Sequence, residues 1–215
     1  MGHADADRPQ DVELYKVLLT FIKQRLLHVD NVLSTPPVRR IEIESCALQV
    51  RISLEHLVLS TLVANRPATA AVVEAFAKKS ASDARSIVKR INKDYWPIPF
   101  DMERHPSKDG VIKMAEPSDP YLKEPEWGRA YGYCSSILHA ANPYTYVTGS
   151  RTSSNAGDWD RITQLRDYSN KIQRLIKNHQ IYLSEIDHSF ICAVPENDKE
   201  EPSVTVFVRT PKEDQ

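Results

Sequence analysis

Apolar residues recur along most of this chain at steps of three and four, the repeat of a helix with one face in a core. Leu14, Val17, Leu18, Phe21, Ile22, Arg25, Val29 and Val32 mark such a face, and a first helix is predicted over 11–33 with Asp11 as its N-cap. The pattern is densest over 37–65, where Pro36 and Pro37 open a second helix and Asn65-Arg66-Pro67 stops it. Two adjacent stripes are apolar there. Ile41, Ser45, Leu48, Ile52, Glu55, Leu59 and Leu62 form one; Ile43, Ala47, Val50, Leu54, Leu57, Val58 and Thr61 form the other. A helix apolar on two faces belongs in the middle of a bundle, buried on most of its circumference. The short Ser34-Thr35-Pro36 connection makes the first helix its antiparallel neighbour.

Three further helices follow by the same reading. Residues 68–92 use Val72, Val73, Phe76, Ile87, Val88 and Ile91. Residues 125–141 use Trp127, Ala130, Tyr131, Cys134, Ile137 and Leu138, and end at Asn142-Pro143. Residues 158–187, capped by Asp158, use Ile162, Leu165, Ile172, Leu175, Ile176, His179 and Ile186. The stretch 93–124 is interrupted by prolines and reads as a long loop insertion; Asp109-Gly110 within it signals a small hairpin. Residues 144–157 read as a linker of small polar residues. At 189–209 the period changes to two. Ser189–Val194 and Val204–Val208, separated by an acidic turn, predict a β-hairpin. The expectation is a mainly α fold: an up-and-down bundle of about five helices with a C-terminal β-hairpin. It forms one domain over 11–209, between a disordered start (1–10) and a disordered tail (210–215).

Composition narrows the function classes. A net charge of −1 and a pI near 6.7 argue against a globally basic nucleic-acid binder, though not against a local basic groove. Cys46, Cys134 and Cys192 are far apart and odd in number, which suits reduced thiols and a cytoplasmic location. No signal peptide or membrane span is expected, since Leu57–Ala64 is too short and too closely flanked by charge. No zinc-protease, nucleophile-elbow, Walker A or dinucleotide motif occurs. No two histidines sit four apart on a helix, so neither a metal nor another cofactor is expected.

The chemistry that stands out lies inside the second helix, at Arg51, Glu55 and His56. Arg51 and Glu55 share a face and can pair, which would explain a guanidinium in an apolar segment. His56 lies about 140° round the helix from Arg51 and suits a histidine satisfied at the core edge. Arg51-Ile52-Ser53-Leu54-Glu55-His56 also resembles the R-x4-6-H signature of HEPN domains, helical bundles of bacterial toxin–antitoxin and phage-defence systems. That resemblance implies metal-independent RNA cleavage by a homodimer, with Arg51 stabilising phosphate charge and His56 as general acid or base. Its implied partners are RNA and an antitoxin or defence-complex subunit. His139, near a helix end, is a second candidate; a cap on the helix dipole is the plainer role. Arg85, Lys89 and Lys93, with Arg174 and Lys177, form basic stripes that are either solvated faces or RNA contacts. The competing reading is a non-catalytic helical protein–protein interaction module in which Arg51 and Glu55 are a structural pair.

Overall fold

In the computed structural model, residues 8–65, 81–104, 112–138, 155–183, 188–197 and 199–208 are described. Five helices fall within them: α1 (Arg8–Ser34), α2 (Arg40–Ala64), α3 (Ala81–Ile91), α4 (Glu124–Leu138) and α5 (Asn155–Lys177). The fold is mainly α with C-terminal antiparallel strands, as the hydrophobic periodicity predicts.

The long helix α2 is the hub. It packs against α1, α3, α4 and α5. Its two prolines lie just before it rather than inside it. The start is set by Arg39, whose backbone N–H donates to the Glu42 carboxylate at 2.7 Å while the two side chains pair. Antiparallel packing of α1 on α2 follows from the contacts: Phe21 meets His56, whereas Arg25, later in α1, donates to Gln49, which lies earlier in α2 by about two turns. By composition and length α2 could cross a membrane, but most of it is buried within the bundle.

Two predicted faces are corrected. On α1 the buried stripe is Tyr15, Leu19, Ile22, Leu26, Val29 and Leu33, while Leu14, Val17 and Phe21 are exposed. On α2 the second apolar stripe is covered, with Ile43, Ala47, Val50, Leu54, Leu57 and Val58 buried, and of the first stripe Leu62 is buried as well. Ile41 and Leu48 are 64% and 41% exposed, and Ile52 and Leu59 are half-buried. Either stripe satisfies the helical repeat. The one opposite the other helices is the one that goes inside.

The fifth helix is shorter than expected. It runs from Asn155 rather than 158 and stops at Lys177, so Asp158 lies in its first turn, paired with Arg161 at 2.7 Å. The chain then becomes strand β4 (Asn178–Leu183), followed by β5 (His188–Ala193) and β6 (Ser203–Val208). The predicted hairpin is β5–β6, and β4 and the short β1 (Ile98–Pro99) extend it to a four-stranded antiparallel sheet ordered β1-β4-β5-β6. Two strands alone would be marginal. Four strands with Ile181, Leu183, Phe190 and Cys192 buried form one wall of the core. His179 therefore sits on a strand, not a helix, and is fully buried there.

The described part of the 93–124 stretch contains short strands within its irregular course. Besides β1 it holds a second small sheet, β2 (Asp101–Arg104) with β3 (Ile112–Ala115). These strands flank the Asp109-Gly110 turn signal, which itself lies outside the described residues. So do residues 1–7, the 68–80 part of the third predicted helix, His139 with most of the 144–157 linker, and the 210–215 tail.

Candidate functional site

Arg51 and Glu55 are one turn apart on α2, on the flank that meets α4. The Arg51 Nε–H donates to Glu55 Oε1 at 3.3 Å, and its Nη2 donates to the Tyr131 hydroxyl at 2.8 Å. The Tyr131 O–H in turn donates to Glu55 Oε1 at 3.1 Å. These three groups close a triangle across the α2–α4 seam. The Arg51 guanidinium also lies over the Tyr131 ring, 4.8 Å from its centroid. Partial burial works against the Arg51 charge. The hydrogen bonds to Tyr131 and Glu55, with the Glu55 charge, outweigh it and hold the guanidinium above its ordinary pKa.

The cluster continues along α4. Trp127 stacks on Tyr131 with ring centroids 5.0 Å apart, and its Nε1–H donates to the Leu54 carbonyl at 3.0 Å. Arg85 of α3 lies over the other end of this stack, 5.4 Å from the Trp127 centroid. Arg85 pairs with Glu124, which also accepts from the Tyr95 hydroxyl at 3.0 Å and pairs with Lys89 at 3.4 Å. Burial opposes the Glu124 charge, but these donors win and its pKa falls. A ladder of two guanidiniums and two aromatic rings thus staples α2, α3 and α4 together. Sequence reading places Trp127 and Tyr131 on the inward face of their helix. What it misses is that Tyr131 is the partner of the Arg51–Glu55 pair. The four-residue spacing of the two aromatics was the available signal.

His56 is elsewhere. It faces α1, with its ring 5.8 Å from that of Phe21, and it is half-buried. Its Nδ1 is buried without a hydrogen-bond partner among the described residues. Burial, then the positive charge of Arg25, lower its pKa, with Glu55 opposing. Arg51 and His56 therefore occupy different seams of the same helix, and neither lines either of the two large cavities described below. Within one subunit the structure joins Arg51 with Glu55 and does not join it with His56. His139 lies outside the described residues.

The five candidate RNA contacts are not one surface. Arg85 and Lys89 are committed to Glu124. Arg174 makes a forked pair with Asp101, at 2.6 Å to its Oδ2, and Lys177 pairs with Glu196 at 2.6 Å. Arg174 and Lys177 line a cleft of about 500 Å³ between α1, α5 and the β5–β6 turn. That cleft also holds Lys171, bound to Asp167 at 3.0 Å, and Lys23. Lys23 is a buried cation the periodicity passes over. It donates to the carbonyls of Asn197 and Glu200 and fastens the turn to α1. Lys93 alone of the five lines a second groove, of about 550 Å³, beside β1 and β4.

Among the described residues no three His, Cys, Asp or Glu side chains are grouped to hold a metal ion, and the three cysteines are buried and unpaired. Comparison with known proteins finds no family model, no curated protein and no solved structure that matches the chain.

Proposed function

We propose that the protein is a non-catalytic helical protein–protein interaction module that pairs with a second copy through the outer face of α1 and α2. The observation that carries this reading is how Arg51 is satisfied: Glu55 and Tyr131 of its own subunit engage it, while the imidazole meant to cooperate with it lies on another seam. A structural clamp leaves function to the surface it supports. That surface carries apolar side chains: Leu14, Val17 and Phe21 on α1 and Leu48, Ile52 and Leu59 on α2 are half-buried or exposed, and Phe21 meets His56 where the two helices pack. Patches of this kind mark interfaces. None of these six residues is charged, so two identical patches meet without like-charge repulsion. Light scattering across micromolar concentrations is the test. The wild type is expected to be dimeric, and Phe21→Glu monomeric with unchanged helical circular dichroism. A wild type that stays monomeric overturns the proposal.

A second reading is a HEPN-like, metal-independent RNA endonuclease of a cytoplasmic bacterial phage-defence or toxin–antitoxin system. One observation favours it: the Arg51 and Glu55 side chains keep 31% exposure each, and His56 borders the face a second copy would cover. Cleavage across a dimer would need that juxtaposition. This reading expects RNA cleavage in the presence of a chelator, lost in both Arg51→Ala and His56→Ala. Cleavage unchanged in the two folded variants rejects it.

A further inference from the structure

The second groove lies away from Arg51 and His56, between the turn after α3, strands β1 and β4, and the strap before α4. Its walls are aromatic. Trp96, Tyr121 and Tyr182 line it together with Ile98, and two lysines, Lys93 and Lys123, stand at its margin. The fold holds these walls in place. The buried side chain of Asn92 donates to Asn65 Oδ1 at 2.9 Å and to the Tyr182 carbonyl at 2.7 Å, and its Oδ1 accepts from the backbone N–H of Asp94 at 2.9 Å. One side chain thus fixes the turn that carries Lys93 against the strand that carries Tyr182. Trp96 donates its Nε1–H to the Leu122 carbonyl at 3.2 Å and meets Tyr95 edge to face, which sets the plane of the indole. On the outward face of the sheet, Ile98 pairs with Gln180, so it sits diagonally beside Tyr182, which is 46% exposed.

The charges differ in kind from those elsewhere on the molecule. Arg85, Lys89, Arg174 and Lys177 each have a carboxylate. Among the described residues Lys93 and Lys123 form no ion pair; Lys123 rests over the Tyr121 ring, 5.9 Å from its centroid. Of the two carboxylates at the groove, Glu124 is neutralised by Arg85 and Lys89, which leaves Asp94. Flat aromatic walls beside two ammonium groups without a carboxylate partner among the described residues fit a ligand that has a π face and negative charge close together. A proline-rich peptide would use the aromatic walls but not the lysines.

We propose that this groove binds nucleotide units, with a base against Tyr182 and Trp96 and phosphate at Lys93 and Lys123. The chemistry is shared by single-stranded RNA and by free nucleotides. Stacking on an aromatic wall tolerates any base, so little sequence preference is expected. With two phosphates engaged on a single strand, log affinity should fall against log salt with a slope of about −1.4. The site uses neither Arg51 nor His56, so it stands or falls apart from both readings above.

The test is fluorescence anisotropy of a labelled decamer of adenylate RNA, with AMP in a parallel arm read by tryptophan quenching, on the full chain. Saturable binding is expected, weakened about tenfold in Tyr182→Ala. The double variant Lys93→Glu, Lys123→Glu should lose it, while Lys177→Glu leaves it intact. Tighter binding of the decamer than of AMP assigns the groove to single strands, and equal binding assigns it to a mononucleotide. The proposal is overturned by no binding of either probe at millimolar concentration. Binding that is indifferent to Tyr182 and the two lysines in variants with wild-type circular dichroism overturns it as well, as does binding of a polyproline peptide in place of RNA.

Discussion

The two faces of α2 have similar composition and opposite fates. The inner face carries Val50, Leu54 and Leu57, each at most 1% exposed, against α1, α3, α4 and α5. The outer face carries Ile41, Leu48, Ile52 and Leu59 and remains open or half-open. The polar residues are sorted in the same way. Arg51 and Glu55 are clamped where α4 arrives, and His56 is left where α1 crosses. Hydrophobicity therefore does not distinguish the face that holds the fold together from the face available to a partner. Only the position of the neighbouring helices does.

Substitution separates the two faces. Leu54→Ala removes a fully buried side chain and leaves a cavity, and should cost about 3 kcal/mol in chemical denaturation. Leu48→Ala should change the stability of the dilute protein by no more than about 0.5 kcal/mol. If the outer face is an interface, its effect should appear instead as weaker self-association. Equal losses at the two positions would erase the distinction.

Acidification tests the same contrast with histidines. His179 lies wholly inside, and burial pushes its pKa down to about 4 despite the carbonyl of Ile176 on Nδ1. Because a carbonyl only accepts, Nδ1 carries the proton and Nε2 accepts from the Tyr15 hydroxyl at 2.7 Å. The folded pKa is below that of the unfolded chain, so the contribution is complete above about pH 6.5 and is lost as the pH falls toward 4. The loss should be roughly 3 kcal/mol. His56, half-buried, is shifted in the same direction and adds to the slope below about pH 6.5. Stability that stays flat from pH 7 to pH 4.5 would show that His179 is not held neutral.

Smaller losses than those at Leu54 and His179 belong to the clamp. Arg51→Ala should cost about 1 kcal/mol, since the pair is partly solvated and Glu55 keeps its bond from Tyr131. Tyr131→Phe removes only the hydroxyl and should cost about 0.5 kcal/mol. Thermal melts of both variants check the order. A clamp that can be removed with no change in melting would leave Arg51 without a structural role, and the nuclease reading would gain.

Much of this was legible before the fold was known. The helices at Leu14–Val32, Ile41–Leu62 and Ile162–Ile176, and the hairpin of Phe190 and Val206, follow from spacing alone. So does the pairing of Arg51 with Glu55, because four residues make one turn. The helix-to-strand switch at Asn178 was not legible. His179, Ile181 and Leu183 alternate as a strand does, yet Tyr182, Leu183 and Ile186 also continue the helical steps of Leu175 and Ile176. Pairing with β5 decides between them, and that partner lies further along the chain than the helical repeat can read.

The chain by itself determined which segments are helical and which residues can reach one another within a turn, because backbone geometry is local. Tertiary structure alone decided which of two apolar stripes on α1 and α2 faces inward, that Tyr131 completes the Arg51–Glu55 pair, and that His56 stands apart from it. Those outcomes depend on how helices distant in sequence pack. Periodicity fixes the angle between two residues on one helix, but it does not say which neighbour lies at either angle.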